Sequence, residues 1–350
     1  MENKLVEKVT DIKSMTLDEL KAYMTEIGEK PFRAKQIYEW IHVHLVTSYD
    51  EMTNVSKALR EKLKECAPLT TLVQEDLQIS RIDGTRKYLF CLPDGNMVES
   101  VLMRYEHGNS VCISSQVGCR MGCRFCASTL DGLVRGLTPA EMLDQVYRIQ
   151  SDIGERVSNV VVMGTGEPMD NYDHLIRFIT LLTDANGLNI SQRNLTVSTC
   201  GIVPRIYDLA KENLQITLAV SLHASSQETR MKLMPIAKSY DIHEVLDAVS
   251  DYIDTTKRRV TFEYSLVGGV NDTDEDAKKL AGLLDGLLCH VNLIPVNPIK
   301  ERDYVQSNHE RVVAFQKKLE KFGINVTIRR ELGRDIDGAC GQLRRRHMRG

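Results

Sequence analysis

The chain has 350 residues, 42% of them hydrophobic and 27% charged, with a formal net charge of −3. This length can bury one large core and a smaller one, and the composition is that of a folded globular chain rather than a fibrous or disordered one. No apolar run approaches the ~20 residues that cross a bilayer, "MENKLVEKVTDIKSM" lacks the apolar segment of a secretory leader, and the overall charge gives no general nucleic-acid signature.

Residues 1–72 are expected to form a small helical module. "TLDELKAYMTEIG" opens with Thr16 and Glu19 at capping-box spacing and closes at Gly28. "KPFRAKQIYEWIHVH" follows with apolar residues at helical spacing and the only tryptophan, Trp40. Residues 73–104 change to alternating segments around the turn Pro93-Asp94-Gly95, which predicts a β-hairpin extension. From 105 to 350, "VCISS", "SNVVVMG", "NLTVSTC", "ITLAVSL", "RVTFEYSL" and "HVNLIPV" read as strands, with "NVTIRR" as a possible extra. Amphipathic runs such as "TPAEMLDQVYRIQSDIG" separate them. Strand–helix alternation of this kind predicts an α/β fold with a parallel sheet, and six strands are too few for a closed eight-stranded barrel. An open, partial barrel is expected, with its chemistry at the C-terminal strand ends.

Nine cysteines, an odd number without a leader, fit a reduced cytoplasmic chain in which clustered cysteines mark a metal or redox site. Cys119, Cys123 and Cys126 follow the first barrel strand with C-x3-C-x2-C spacing. Tetrahedral zinc or an ordinary electron-transfer cluster wants a fourth ligand. Three thiolates on a 4Fe-4S cluster leave one iron open, as a catalytic cluster requires. A zinc site completed elsewhere, or unrelated buried cysteines, are the alternatives. Past the second strand, Gly164, Gly166 and Glu167 form a close-approach turn with a carboxylate acceptor. Ser198, Ser221, His223 and Asn297 follow later strands, small polar groups suited to fixing a ligand over a barrel mouth. At the C-terminus, from Arg329, seven arginines face three acidic residues, which reads as a solvated tail or a phosphate-binding patch.

The cysteine spacing after the first strand resembles the radical S-adenosylmethionine (SAM) superfamily, and Phe125 stands where an aromatic residue is common. "FRAKQIYEWI", "CISSQVGC", "GTGEPMDNYD", "VSTCGIVP", "LAVSLHA", "LMPI", "VTFEYSLVGGVND", "VNLIPVNP" and "DIDGACGQL" occur in order over nearly the whole chain and resemble the RlmN/Cfr family of RNA adenine methyltransferases. Thr165 and Ala237 depart from residues common in that family, whereas Pro168 favours the branch that methylates C2 over the Cfr branch that methylates C8.

The resemblance implies a partial (β/α)6 radical SAM barrel and one 4Fe-4S cluster on Cys119, Cys123 and Cys126. It implies SAM, two molecules per turnover, held near Gly166, Glu167, Ser198, Ser221, Leu222, His223 and Asn297. The first SAM methylates Cys340, and the second yields a 5′-deoxyadenosyl radical that activates that methyl group. Glu99 falls on the family's proton acceptor, and Cys112 on the cysteine that resolves the RNA–enzyme adduct through a transient disulfide with Cys340. From the residues alone, Cys112 reads as a buried core thiol and Glu99 as an exposed hairpin charge. Cys66, Cys91, Cys200 and Cys289 read as packing residues. The implied substrate is an adenine in the peptidyl-transferase region of 23S rRNA, with tRNA as a second substrate. A low-potential donor such as flavodoxin or ferredoxin is implied, and the enzyme is expected to be a cytoplasmic monomer. The helical module and Arg344, Arg345 and Arg346 are expected to hold RNA. The readings to be set against these are C8 methylation of the same adenine and a non-catalytic metal-binding RNA adaptor.

Overall fold

The computed structural model describes residues 10–297, 303–336, 343–344 and 347. Three helices come first: α1 (Leu17–Glu26), α2 (Phe32–His42) and α3 (Lys57–Cys66). α1 starts as its sequence requires. Thr16 accepts from the Glu19 amide while the Glu19 carboxylate accepts from the Thr16 amide at 2.7 Å, which satisfies amides the helix cannot.

Four antiparallel strands follow: β1 (Val73–Ile79), β2 (Arg86–Cys91), β3 (Met97–Tyr105) and β4 (Gly108–Ile113). The expected hairpin is therefore three strands that continue, through β4, into the barrel sheet. β1 escapes a pattern reading because "VQEDLQI" is a polar, mostly exposed edge strand. A small ribbon, β5 (Gln116–Gly118) with β6 (Leu133–Gly136), brackets the cysteine loop.

The rest alternates: α4 (Pro139–Ile153), β7 (Val157–Val162), α5 (Tyr172–Leu182), β8 (Leu195–Thr199), α6 (Val203–Lys211), β9 (Thr217–Ser221), α7 (Gln227–Leu233), α8 (Ile242–Thr256), β10 (Val260–Leu266), α9 (Asp274–Leu284), β11 (Cys289–Pro295), α10 (His309–Lys321) and β12 (Val326–Ile328). The sheet runs β1-β2-β3-β4-β7-β8-β9-β10-β11-β12, and every neighbouring pair from β4 to β12 is parallel. The six expected barrel strands are present, and the possible extra strand is β12.

The two faces of this sheet differ. Val160, Leu195, Val197, Leu218, Val220, Phe262, Tyr264, Val291 and Leu293 are buried in the apolar core. The alternate residues carry the polar groups. Side chains two apart share a face, and the register aligns Cys112 with Val101 and Val161, and Ser221 with Glu263 and Asn292.

The helical module docks on α4 and α5 through buried polar contacts. Lys13 Nζ lies 2.7 Å from Asp144 Oδ1, and the Leu72 amide donates to Asp144 Oδ2 at 2.7 Å. Tyr38 donates to Asp184 at 2.8 Å, and His42 Nδ1 meets the Tyr147 hydroxyl at 2.7 Å. Burial pulls the pKa of His42 down to about 3, with Lys13 adding repulsion. The imidazole is thus neutral in the folded chain.

The unfolded chain protonates His42 as pH falls through its ordinary 6.5, while the folded chain does not until about 3. Its contribution is complete above 6.5 and drains away as pH falls towards 3. Between pH 7 and pH 5 we expect about 2 kcal/mol of wild-type stability to be lost through this group. His42→Asn should lose correspondingly less over that range in calorimetric melts; equal losses would contradict the assignment.

Candidate active site

The site is assembled where β4 ends. Ser114 follows β4, and its amide and carbonyl are both held by the fully buried Gln145 of α4, at 2.8 and 3.0 Å. Gln145 Oε1 also accepts from Ser100 of β3 at 2.8 Å. The Ser114 hydroxyl donates to the Glu99 carbonyl at 2.7 Å and accepts from the Thr165 amide at 3.0 Å. One buried amide side chain thus fixes the end of β4 relative to β3, and Ser114 carries that register into the glycine turn after β7.

The cysteine loop leaves β5. The Cys119 amide donates to the Gly132 carbonyl at 2.9 Å, and Gly118, at φ 78°, allows the close pass: a Cβ there would lie 1.9 Å from that oxygen. Thr129 Oγ1 donates to the carbonyls of Cys123 and Cys126 at 3.1 and 3.0 Å. The loop packs on Leu233, Met234, Val267 and Val296. Burial pushes the Cys119 thiol up to about 12 and that of Cys123 well above its usual value. Among the described residues no three Cys, His, Asp or Glu side chains converge closely enough for a single ion. In a cluster of several irons the three thiolates bind three different irons and need no single focus.

Beside the loop lies a cavity of about 200 Å³, partly open to solvent. Phe125, Cys126 and Met163 line one side, and Ser198, Ser221, His223 and Asn297 line it from successive strand ends. Four of the expected ligand-fixing residues therefore share one space. His223 is buried, and burial, with Arg230 second, lowers its pKa to about 3. Its Nδ1 accepts from the Ser265 amide at 2.9 Å, so Nε2 carries the proton. Its ring stands edge-on to Phe125, centroids 4.8 Å apart.

Leu222 is different. Its side chain lies in the apolar core, and its amide donates to the Glu263 carbonyl at 3.1 Å. Gly166 and Glu167 lie behind the cavity wall. Gly166 has φ 116°, and a Cβ there would meet Ser115 and Gln116 at 2.7 Å. Glu167 is buried, and its oxygens accept from the amides of Met169 and Cys200 at 3.0 and 2.7 Å. Burial raises its pKa against these hydrogen bonds. The side chains of Thr199 and Cys200 also hydrogen-bond to it, so its four or so acceptor positions are taken within the fold.

Glu99 is not the exposed hairpin charge that the residues alone suggest. It is 4% exposed, with Lys87 Nζ 3.0 Å from Oε2 and the Arg344 amide 2.6 Å from Oε1. Cys112 is also buried. It faces Val101 across the ladder, two residues from Glu99, so both lie on one face of the sheet. Cys340 lies outside the described residues, as do Arg345 and Arg346. Arg344, expected to hold RNA on a basic tail, is instead 5% exposed, with its amide on Glu99.

Arg329, read from the sequence as the start of the basic C-terminal stretch, also lines the cavity, as do Glu263 and Ser265, which sequence reasoning missed. Burial raises the pKa of Glu263, and Asn292 donates to it at 2.9 Å. Their signal was available: in "RVTFEYSL" the polar residues alternate with Val, Phe, Tyr and Leu, which marks a sheet with one polar face.

An open parallel barrel with three cysteines at its mouth defines the class: the chain has the radical SAM fold, and a model described as the radical SAM superfamily matches residues 113–283. A second, the ribosomal RNA large subunit methyltransferase N-terminal domain, matches residues 10–69. The dual-specificity RNA methyltransferase RlmN of Lachnospira eligens is 66% identical over 340 residues, 97% of each chain. The same-named protein of Lachnoclostridium phytofermentans is 62% identical, covering 97% of this chain and 96% of its own. The crystal structure of a radical SAM methyltransferase from Sphaerobacter thermophilus superposes with a TM-score of 0.92 at 43% identity, covering 95% of this chain and 98% of that one. The chain belongs to the RlmN family.

Membership in the radical SAM superfamily implies a 4Fe-4S cluster and SAM. The donor set fits. Three thiols on one loop, with an apolar floor and no carboxylate among them, are soft ligands suited to iron–sulfur chemistry. Among the described residues no helix is long and apolar enough to cross a membrane.

The Gln145 bridge has a direct consequence. Gln145→Leu keeps the volume but strips Ser114 and Ser100 of their buried partner. We expect a loss of about 2–5 kcal/mol in denaturant unfolding. A loss below about 0.5 kcal/mol would show that other groups replace the bridge.

Proposed function

We propose that this protein methylates C2 of an adenine in the peptidyl-transferase region of 23S rRNA, with tRNA as a second substrate. The observation that carries the reading is the placement of Cys112 and Glu99 on one buried sheet face, with the Arg344 amide, four residues from Cys340 in the chain, on the Glu99 carboxylate. The identity to proteins described as dual-specificity RNA methyltransferases supports it over nearly the full length. Pro168 supports C2 over C8.

Adenine C2 is an electron-poor sp2 carbon with no readily lost proton, so a polar displacement from SAM has no nucleophile. A 4Fe-4S cluster with SAM supplies the radical chemistry that this carbon needs. Cys119, Cys123 and Cys126 would hold the cluster. Gly166, Glu167, Ser198, Ser221, Leu222, His223 and Asn297 would surround SAM, with His223 offering its Nε2 proton and Leu222 holding the strand end from the core side. Cys340 carries the methyl group that becomes the new carbon on the base. Glu99 takes the C2 proton from the adduct. Cys112, giving up its proton, then attacks the Cys340 sulfur; the carbon–sulfur bond breaks, its electron pair takes a proton to complete the methyl group on the base, the odd electron left by radical addition would return to the iron–sulfur centre, and a Cys112–Cys340 disulfide forms for later reduction. Lys87 Nζ, 3.0 Å from Glu99 Oε2, balances the charge of that carboxylate. An adenine worked on in this way must leave its stack. The helical module offers one RNA-holding surface.

The test is anaerobic reconstitution with reductant, SAM and an rRNA fragment. We expect about four irons per chain, SAM cleavage, and a methyl group located at C2 by mass spectrometry. Cys340→Ala should keep its iron and transfer no methyl group, and Cys112→Ala should leave RNA covalently joined to the enzyme. Full activity of Cys340→Ala would refute the route, a methyl group at C8 would move the protein to the Cfr branch, and one zinc with inert SAM would make it an adaptor.

A further inference from the structure

Arg230 of α7 is fully buried. Its Nη2 donates to the Cys200 carbonyl at 2.7 Å and its Nη1 to the Tyr240 carbonyl at 3.0 Å. Its Nε is buried without a partner. Among the described residues no carboxylate lies within ion-pair distance of it. Asp241 acts on it from farther away, and the Asp241 carboxylate is engaged in capping α8 through the His243 amide at 2.9 Å. A buried guanidinium held only by two carbonyls is expensive, because neutral acceptors do not balance its charge.

Its position explains where the balance comes from. α7 and the turn after it form the floor of the cysteine loop: the Arg124 amide donates to the Leu233 carbonyl at 2.9 Å, and Leu233 and Met234 pack with Cys119, Met121 and Cys200. The groups acting electrostatically on Arg230 are Cys200 and Cys123 ahead of Asp241. Cys200, whose carbonyl Arg230 holds, packs in one cluster with Cys119 and Met121, and Cys123 and Phe125 lie against that cluster.

We propose that Arg230 is the fixed counter-ion of the iron–sulfur centre held by Cys119, Cys123 and Cys126, and that it sets the centre's reduction potential. The proposal rests on the reading that this trio holds such a centre. Three thiolates make the centre anionic, and one-electron reduction adds another negative charge. A buried cation that cannot move away favours the reduced form, with little screening by water. Arg230 is a positioning residue in this sense: it acts on the reacting centre through charge, without touching substrate.

The experiment uses the full chain, reconstituted anaerobically without SAM and titrated by EPR at controlled potential. Iron content of the wild type tests the underlying reading separately, since a wild type without iron fails before any variant is compared. Arg230→Met should load iron and shift the reduction equilibrium at least tenfold towards the oxidised form, 59 mV for one electron. Arg230→Lys, which keeps the charge and loses the planar fork, should stay within threefold of wild type. A folded Met variant that cannot retain iron, beside a Lys variant that can, supports the same conclusion. A purely structural arginine predicts a lower melting temperature of the metal-free Met variant with an unchanged potential, and that result overturns the proposal. So does a Lys variant shifted as far as Met. Where Met does not fold, Lys alone decides: a tenfold shift overturns the proposal, and a wild-type potential and EPR signal support it.

Discussion

The buried side chain of Gln145 holds the site in register. A parallel strand fixes the direction of its end but not the path of the chain beyond it. Here Gln145 pairs with both backbone groups of Ser114 and with the hydroxyl of Ser100, and Ser114 in turn meets the Glu99 carbonyl and the Thr165 amide. Four segments therefore take their positions from one amide: β3 with Glu99, β4 with Cys112, the start of the path to the cysteine loop, and the glycine turn after β7. Such a network is effective because it is dry, and each of its bonds would be costly to leave unmade.

Around this hub the barrel solves a second problem. Its helices cover one face of the sheet only, so the other must tolerate polar groups. Glu263, Asn292, Thr327 and His290 form a hydrogen-bonded chain across β10, β11 and β12 on that face. The same alternation that buries Val220 and Phe262 under helices turns Ser221 and Glu263 towards the cavity. Core packing and cavity lining are thus divided between alternate positions of the same strands.

Much of this was legible in the sequence, for physical reasons that can be named. Strand–helix alternation fixed the parallel sheet, and a capping box located the start of α1. The cysteine spacing located the loop, and small polar residues after strands located Ser198, Ser221, His223 and Asn297. Other features left no pattern. The first nine residues of α4, Pro139 to Tyr147, are all buried, so a helical-wheel reading would send Asp144 and Gln145 to solvent when both are central to the packing. Lys87 and Glu99 read as surface charges because their pairing depends on a strand register that spacing does not reveal. Arg230 looks like one more charge on a short polar helix. Arg344 looks like tail, and its burial follows from a contact 245 residues away in the chain.

That last contact also orders events in time. The β5–β6 ribbon that brackets the cysteine loop can pair once residue 136 has been made, whereas the Glu99–Arg344 bond must wait for residue 344. Until then the Glu99 carboxylate on β3 lacks the backbone amide that meets its Oε1. A chain that stopped short of residue 344 would keep the pairing of β5 with β6 and leave the Glu99 carboxylate to Lys87, without the amide that meets Oε1.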